Sequence, residues 1–265
     1  MKKLLFSFVL FLSSPILCCA QQHQPPREAR EEVEMGLKAH RQAHFEEAKQ
    51  HFQRALALDK DFCEARLYVA GAFTHEYVPH VQSTDNLAKA NQGFEHYQVA
   101  MQCDPALSSS ALRGMAYLRG VMEQPAEARD LYRQLLKIEG ASQDIYGHIA
   151  AYDLEEVLAN TRAEKARLGL KADESLADTP ACPVLRKRNL PLVSDGLEML
   201  SKAMWLHTNE YGADQVTASV FYYERAEIQC GDPAARKADE KNAAEWTALA
   251  VKIGQKQKQK EASQK

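Results

Sequence analysis

The sequence predicts an all-α fold: a solenoid of about five helical hairpins with two insertions and a C-terminal capping helix. Three observations lead there. One spacing of side chains, in steps of three, four, three and three, recurs four times. A large apolar residue followed by a small one comes ahead of each of these ladders. The 12 glycines and 10 prolines of the 265 residues are expected mostly in turns, which fits a helical chain.

The chain opens on Lys2 and Lys3, then an apolar run from Leu4 to Leu17, then Cys18-Cys19-Ala20. Basic, apolar and small residues in that order make a secretory signal, and the run is shorter than the ~20 residues a bilayer span needs. A cut after Ala20 is expected, which makes the protein exported, periplasmic or secreted. Lipidation at Cys18 or Cys19, which would tie the chain to a membrane, is the alternative. It is disfavoured because Leu17 or Cys18 would stand where Gly, Ala or Ser is usual. Residues 21–28 read as a disordered linker. Removing Lys2 and Lys3 takes the formal net charge from -3 to -5, so no electrostatic reason to bind nucleic acid exists.

The ladders come next. Phe45, Ala48, Phe52, Ala55 and Leu58 form the first, and Ala90, Gly93, Tyr97, Ala100 and Cys103 the second. Pro125, Ala128, Tyr132, Leu135 and Ile138 form the third, and Val193, Gly196, Leu200, Ala203 and Leu206 the fourth. Steps of three and four keep one helical face. In each set the second residue is Ala or Gly and the third is large, so a neighbouring helix can approach closely while the large side chain fills the gap. Met35-Gly36, Val69-Ala70, Met115-Ala116 and Ile149-Ala150 mark the helices that precede them.

These residues resemble the tetratricopeptide repeat (TPR) family, whose period is ~34 residues and whose pattern runs W-x-x-L-G-x-x-Y, A-x-x-x-F, P. Met35-Gly36, Ala48, Phe52 and Ala55 match it in the first unit. In the second, Val69-Ala70, Phe73, Tyr97, Ala100 and Pro105 match, and in the third Met115-Ala116, Ala128 and Tyr132 do. The initial Trp is absent, and Lys60 and Gly140 replace the expected Pro. The resemblance covers most of 29–208. With its interruptions, the chain resembles exported bacterial TPR proteins, a likeness that implies no activity.

Two insertions break the period. Near 77–87, Pro79 and the turn formers Ser83 to Asn86 predict a loop and a fresh helix capped by one of Ser83 to Asp85. Between 153 and 189, Leu154 to Leu170 favours helix and Lys171 to Pro183 reads as a surface loop. Residues 209–254 form a further pair and cap. Ala213 to Ile228 is helix in spite of β-prone Val216 to Tyr223. Asp232 caps and Pro233 opens the last helix. Residues 255–265 read as a disordered basic tail.

In such hairpins the start of a first helix lies beside the end of a second. That favours Cys63–Cys103 and Cys182–Cys230 as disulfides, with four buried thiols as the other reading. By resemblance, first helices line a concave face, which places Leu37, Arg41, Leu67, Thr74, Arg113, Tyr117 and His148 in it. Their apolar and basic mixture suits an extended or helical peptide with some negative charge. Leu37 stands where the carboxylate-clamp variety has Asn, so capture of a chaperone tail is not implied.

Catalytic signatures are missing. There is no phosphate loop, G-x-G-x-x-G or G-x-S-x-G. His75-Glu76 starts a zinc-protease pattern, but Pro79 stands where its second histidine belongs. His40 and His44 have metal-capable spacing and His51 sits on the next helix, yet no further ligand completes a site. No metal or cofactor is therefore expected. The reading is a non-catalytic scaffold in the cell envelope for a protein or peptide partner. Its alternatives are a self-assembling structural protein, a homo-oligomer built through the terminal helices, and then a metal enzyme around His40 and His44.

Overall fold

The computed structural model describes residues 23–206 and 212–263; the leader, with Cys18 and Cys19, lies outside them. The described residues form α1 (Arg27–Arg41), α2 (Phe45–Leu58), α3 (Cys63–Glu76), α4 (Thr84–Cys103) and α5 (Ser108–Val121). Then come α6 (Pro125–Glu139), α7 (Gln143–Leu168), α8 (Cys182–Leu206), α9 (Ala213–Glu227) and α10 (Pro233–Ser263). One 3-10 turn, Pro105–Leu107, joins α4 to α5. No strand and no membrane-spanning helix occurs among the described residues.

Helices pair in order, α1 with α2 through α9 with α10, and each hairpin packs on the one before. First helices also touch across hairpins, α3 on α5 and α7 on α9, while no two second helices make comparable contact. The crowded side is therefore the inside of the curve, and first helices line it.

The ladders supply the seams. Ala48, Phe52 and Ala55, then Ala90, Tyr97 and Ala100, then Ala128, Tyr132 and Leu135, then Val193, Leu200 and Ala203 are all buried. Their outer ends are not: Phe45 is 41%, Leu58 52% and Ile138 56% exposed. A helix turns ~100° per residue, so the ten residues from Ala48 carry Leu58 about 80° off the seam. The small residues admit rings. A Cβ at Gly36 would overlap Phe52, at Gly114 Tyr97, and at Gly196 Phe221. One continuous core runs from Ala70 through Leu112, Tyr132 and Ile149 to Leu200 and Phe221.

Both insertions are anchored. In the first, Ser83 caps α4 by accepting from the Asn86 N–H at 3.1 Å. Asn86, only 3% exposed, grips the loop back: its amide donates to the Val78 and Val81 carbonyls at 2.8 and 2.7 Å and accepts from the Val78 N–H at 2.9 Å. In the second, α7 continues as one 26-residue helix. The loop after it, expected at the surface, instead sends Leu176 to full burial against Leu185 and Ile228. Its backbone N–H donates to Glu227 at 2.7 Å.

Two terminal expectations are corrected. Helix begins at Arg27, inside the stretch read as linker, because Pro26 fixes φ at -51° and starts the first turn. Residues 255–263, read as disordered, continue α10, since Gln, Lys, Glu and Ala are good helix formers.

Cys63 is joined to Cys103 and Cys182 to Cys230, with Cα atoms 5.7 and 5.4 Å apart. Each bridge closes a sequence separation of 40 or 48 residues, which in the chain-entropy account contributes about 4 kcal/mol. Alkylation of the unreduced, denatured protein is expected to leave these four sulfurs unlabelled, and reduction to label all four and lower the melting temperature. Labelling before reduction would show free thiols.

Candidate partner-binding face

On each first helix the large-small pair turns into the seam, which decides what faces the inside of the curve. Val69-Ala70, Met115-Ala116 and Ile149-Ala150 are buried. The residue after each pair and the one three before its small member therefore look outward. In α3 these are Leu67 and Gly71, in α5 Arg113 and Tyr117, in α7 Gly147 and Ala151, all half-buried or exposed. Tyr117 is 54% exposed, and a Cβ added at Gly147 would meet nothing within 4 Å. The strip alternates large side chains with gaps.

The seven expected face residues divide. Leu67 and Tyr117 lie on this strip. Arg113 is there too, but its guanidinium clamps Glu139 at 2.7 Å and Asp144 at 2.5 Å. His148 stacks on Tyr132, centroids 4.4 Å apart, with Nε2 3.2 Å from the same Asp144. Burial, then the neighbouring Tyr152 and Asp144, pushes the Tyr132 hydroxyl up to about 12. Thr74 is not on the face. It is buried, and its hydroxyl donates to the Ala70 carbonyl at 3.0 Å and lies 3.4 Å from the Tyr97 hydroxyl. A β-branched hydroxyl satisfied by its own helix costs little inside a seam. Leu37 is half-buried against the N-terminal core, and Arg41 is exposed beside Met35 and Lys38 at the end of the stack. The expected basic character is thereby corrected. Arg113 is neutralised, Thr74 is internal and Arg41 is distant, so the central strip is apolar and aromatic.

The histidines considered for metal are engaged otherwise. His40 packs its ring on Phe45 and His75, centroids 5.3 and 5.4 Å away. His44 faces Glu47 at 3.4 Å, and His51 binds Glu32 at 2.7 Å. Among the described residues no three His, Cys, Asp or Glu side chains are grouped to hold a metal ion.

One cluster behind the face was missed by sequence reading. Asp153 of α7 is wholly buried. Its Oδ1 takes Arg129 of α6 at 2.7 Å, while Oδ2 has no hydrogen-bond donor among the described residues. Arg129 also holds Glu156 at 2.9 Å, and Arg133 binds Asp195 of α8. Burial, reinforced by the Asp195 carboxyl, pushes Asp153 up to about 8 against the opposing pull of Arg129. A signal existed: Ile145, Ile149, Asp153 and Val157 step by four, which puts an acid on the apolar stripe of α7.

Neither a known family model nor a curated protein matches the chain. Solved structures do. A crystal structure of MamA protein aligns at TM-score 0.55 and 10% identity, covering 88% of this chain and 94% of that one. MamA 41-end from Desulfovibrio magneticus RS-1 aligns at 0.57 and 13%, covering 88% and 99%. The likeness spans the whole stack rather than one pair of helices. The fold is a divergent TPR-like solenoid.

Proposed function

We propose that this protein is a non-catalytic scaffold, exported to the cell envelope, that holds an extended or helical segment of a protein partner along its first helices. The observation that carries this is the strip of Leu67, Gly71, Tyr117, Gly147 and Ala151, in register over three hairpins and open to solvent. Apolar side chains of a partner would seat in the gaps at Gly71 and Gly147 and pack on the Tyr117 ring, which retains a hydroxyl to hydrogen-bond the partner's backbone. The basic-apolar-small order of residues 2–20 and the two cysteine pairs support export.

A photo-crosslinking residue in place of Tyr117, in intact cells, is expected to give a discrete protein adduct, and the same residue in place of exposed Gln134 on α6 none. With that partner purified, Tyr117→Ala should weaken binding by about 1–2 kcal/mol, roughly tenfold, without changing the helical circular dichroism. Equal labelling from both positions, or unchanged affinity, would reject this face. Cell fractionation tests the location, and recovery from the cytosol would reject export.

A further inference from the structure

Among the described residues the end of α10 has no packing partner. Beside α9 the helix buries Asp239, Ala243, Ala250 and Ile253. Gly212, just ahead of α9, lies next to Ala250. The ten residues from Gly254 to Ser263 thus run on past α9, about 15 Å of helix. Between 255 and 263 only Gln257 is even half-buried. This stretch and the turn before it present Lys252, Lys256, Lys258 and Lys260 against a single acid, Glu261. None of these lysines is ion-paired among the described residues. A helical extension this short is marginal in water without something to pack on.

A complementary surface exists at the opposite end of the stack. The start of α1, the α2–α3 turn and the α4–α5 turn enclose an open cavity of about 760 Å³. Glu34, Asp61, Glu64 and Asp104 line it, with Phe62 in its wall and Arg30 as the one guanidinium. Glu34, Asp61 and Glu64 make no ion pair among the described residues. Four ammonium groups on a helix end therefore match four carboxylates around a groove. α10 makes substantial contact only with α9, so the two surfaces lie at opposite ends of one molecule.

We infer that the lysine-bearing end of α10 docks into the acidic groove at the start of α1 in a second copy of the chain. A contact between unlike surfaces leaves one of each free after every step, so the product grows head to tail beyond a pair, as a row or a ring. It uses neither Tyr117 nor the strip around it, and stands whether or not the partner-binding face is correct.

Sedimentation velocity of the full chain without its leader tests this. At about 50 mM salt the protein is expected to grow beyond a dimer with concentration, and at about 0.5 M to be a monomer, because exposed charges are then screened. A tail variant, Lys256→Glu, Lys258→Glu and Lys260→Glu, and a groove variant, Glu34→Lys, Asp61→Lys and Glu64→Lys, should each stay monomeric with unchanged circular dichroism. Mixed, they should associate again, since each tail now matches the other's groove. A monomer at every salt and concentration, association unaffected by either variant, or failure of the mixture to recover would overturn the inference. So would a protein that stays monomeric and pellets with vesicles of anionic phospholipid through the same lysines, which would make a membrane surface the occupant.

Discussion

Phe221→Ala is expected to destabilise the protein by about 3–5 kcal/mol, the cost of a large aromatic removed from a closed core. The ring is wholly buried, belongs to the central core with Val193, Met199 and Leu200, and lies across Gly196. It wedges α9 of the fifth hairpin against α8 of the fourth, and in a stack each hairpin is held by its neighbours. The loss should therefore be local. Hydrogen exchange is expected to rise throughout α9 and α10 and little in α3 to α6, and urea unfolding should split into two transitions. The reciprocal change, Gly196→Val, should cost about 1–3 kcal/mol, because a methyl-bearing carbon would occupy the space of the ring and Phe221 has nowhere to go. Gly196→Ala combined with Phe221→Leu should recover part of the sum of the single losses, since the two residues share one volume. A loss below about 1 kcal/mol for Phe221→Ala would mean that this interface is not closed.

Gly196 also shows how the fold could be read from the sequence. The small-large alternation is a steric requirement of close helices, so it repeats wherever hairpins stack, and Ala48 with Phe52 or Ala128 with Tyr132 can be recognised without coordinates. Ladder ends such as Leu58 and Ile138 were over-read, because steps of three drift around the helix and leave the seam. The loop after α7 is mostly exposed, as expected, but its anchor was not foreseen. Leu176, Ala177 and Ala181 are buried at no regular spacing, and a short knob has no period to reveal it. The face was legible only in part. Position on a helix places Leu67 and Tyr117, but whether Arg113 is free or clamped depends on Glu139 and Asp144, which arrive from two other helices. Thr74 lies seven residues after Leu67, on the same stripe of α3, but it is covered where α4 brings the Tyr97 hydroxyl to 3.4 Å, and its position on one helix does not reveal that.

The cluster around Asp153 has the second large consequence, and its sign can be worked out. The carboxyl is pushed from 3.8 up to about 8, mainly by burial and then by Asp195. Between those values the folded protein keeps a proton that the unfolded chain has lost. Stability from this group is therefore greatest below about pH 4, falls as pH rises toward about 8, and is level above. The groups facing it are Arg129 and Arg133 from α6, Glu156 from its own helix and Asp195 from α8, so with Asp153 protonated the two remaining carboxylates face two guanidiniums. Losing that proton adds a buried negative charge that the arginines, already engaged, cannot match. Chemical denaturation of the wild type at pH 5 and pH 9 is expected to show a loss of about 4 kcal/mol at the higher pH, one tenfold factor for each of about three pH units. Asp153→Asn should remove most of it. Asparagine keeps the shape and cannot ionise, while Arg129 retains Glu156. The comparison is made above pH 5 because the carboxyls of Glu32, Glu46 and Glu164 are held below their usual range and are still ionised there in both proteins. If the wild type instead gains stability toward pH 9, or parallels the variant, Arg129 holds Asp153 ionised throughout. Because the charges come from α6, α7 and α8, the strain falls on the joint between the third and fourth hairpins. That joint sets the angle between Tyr117 and Gly147, so alkaline pH should also weaken whatever lies along them.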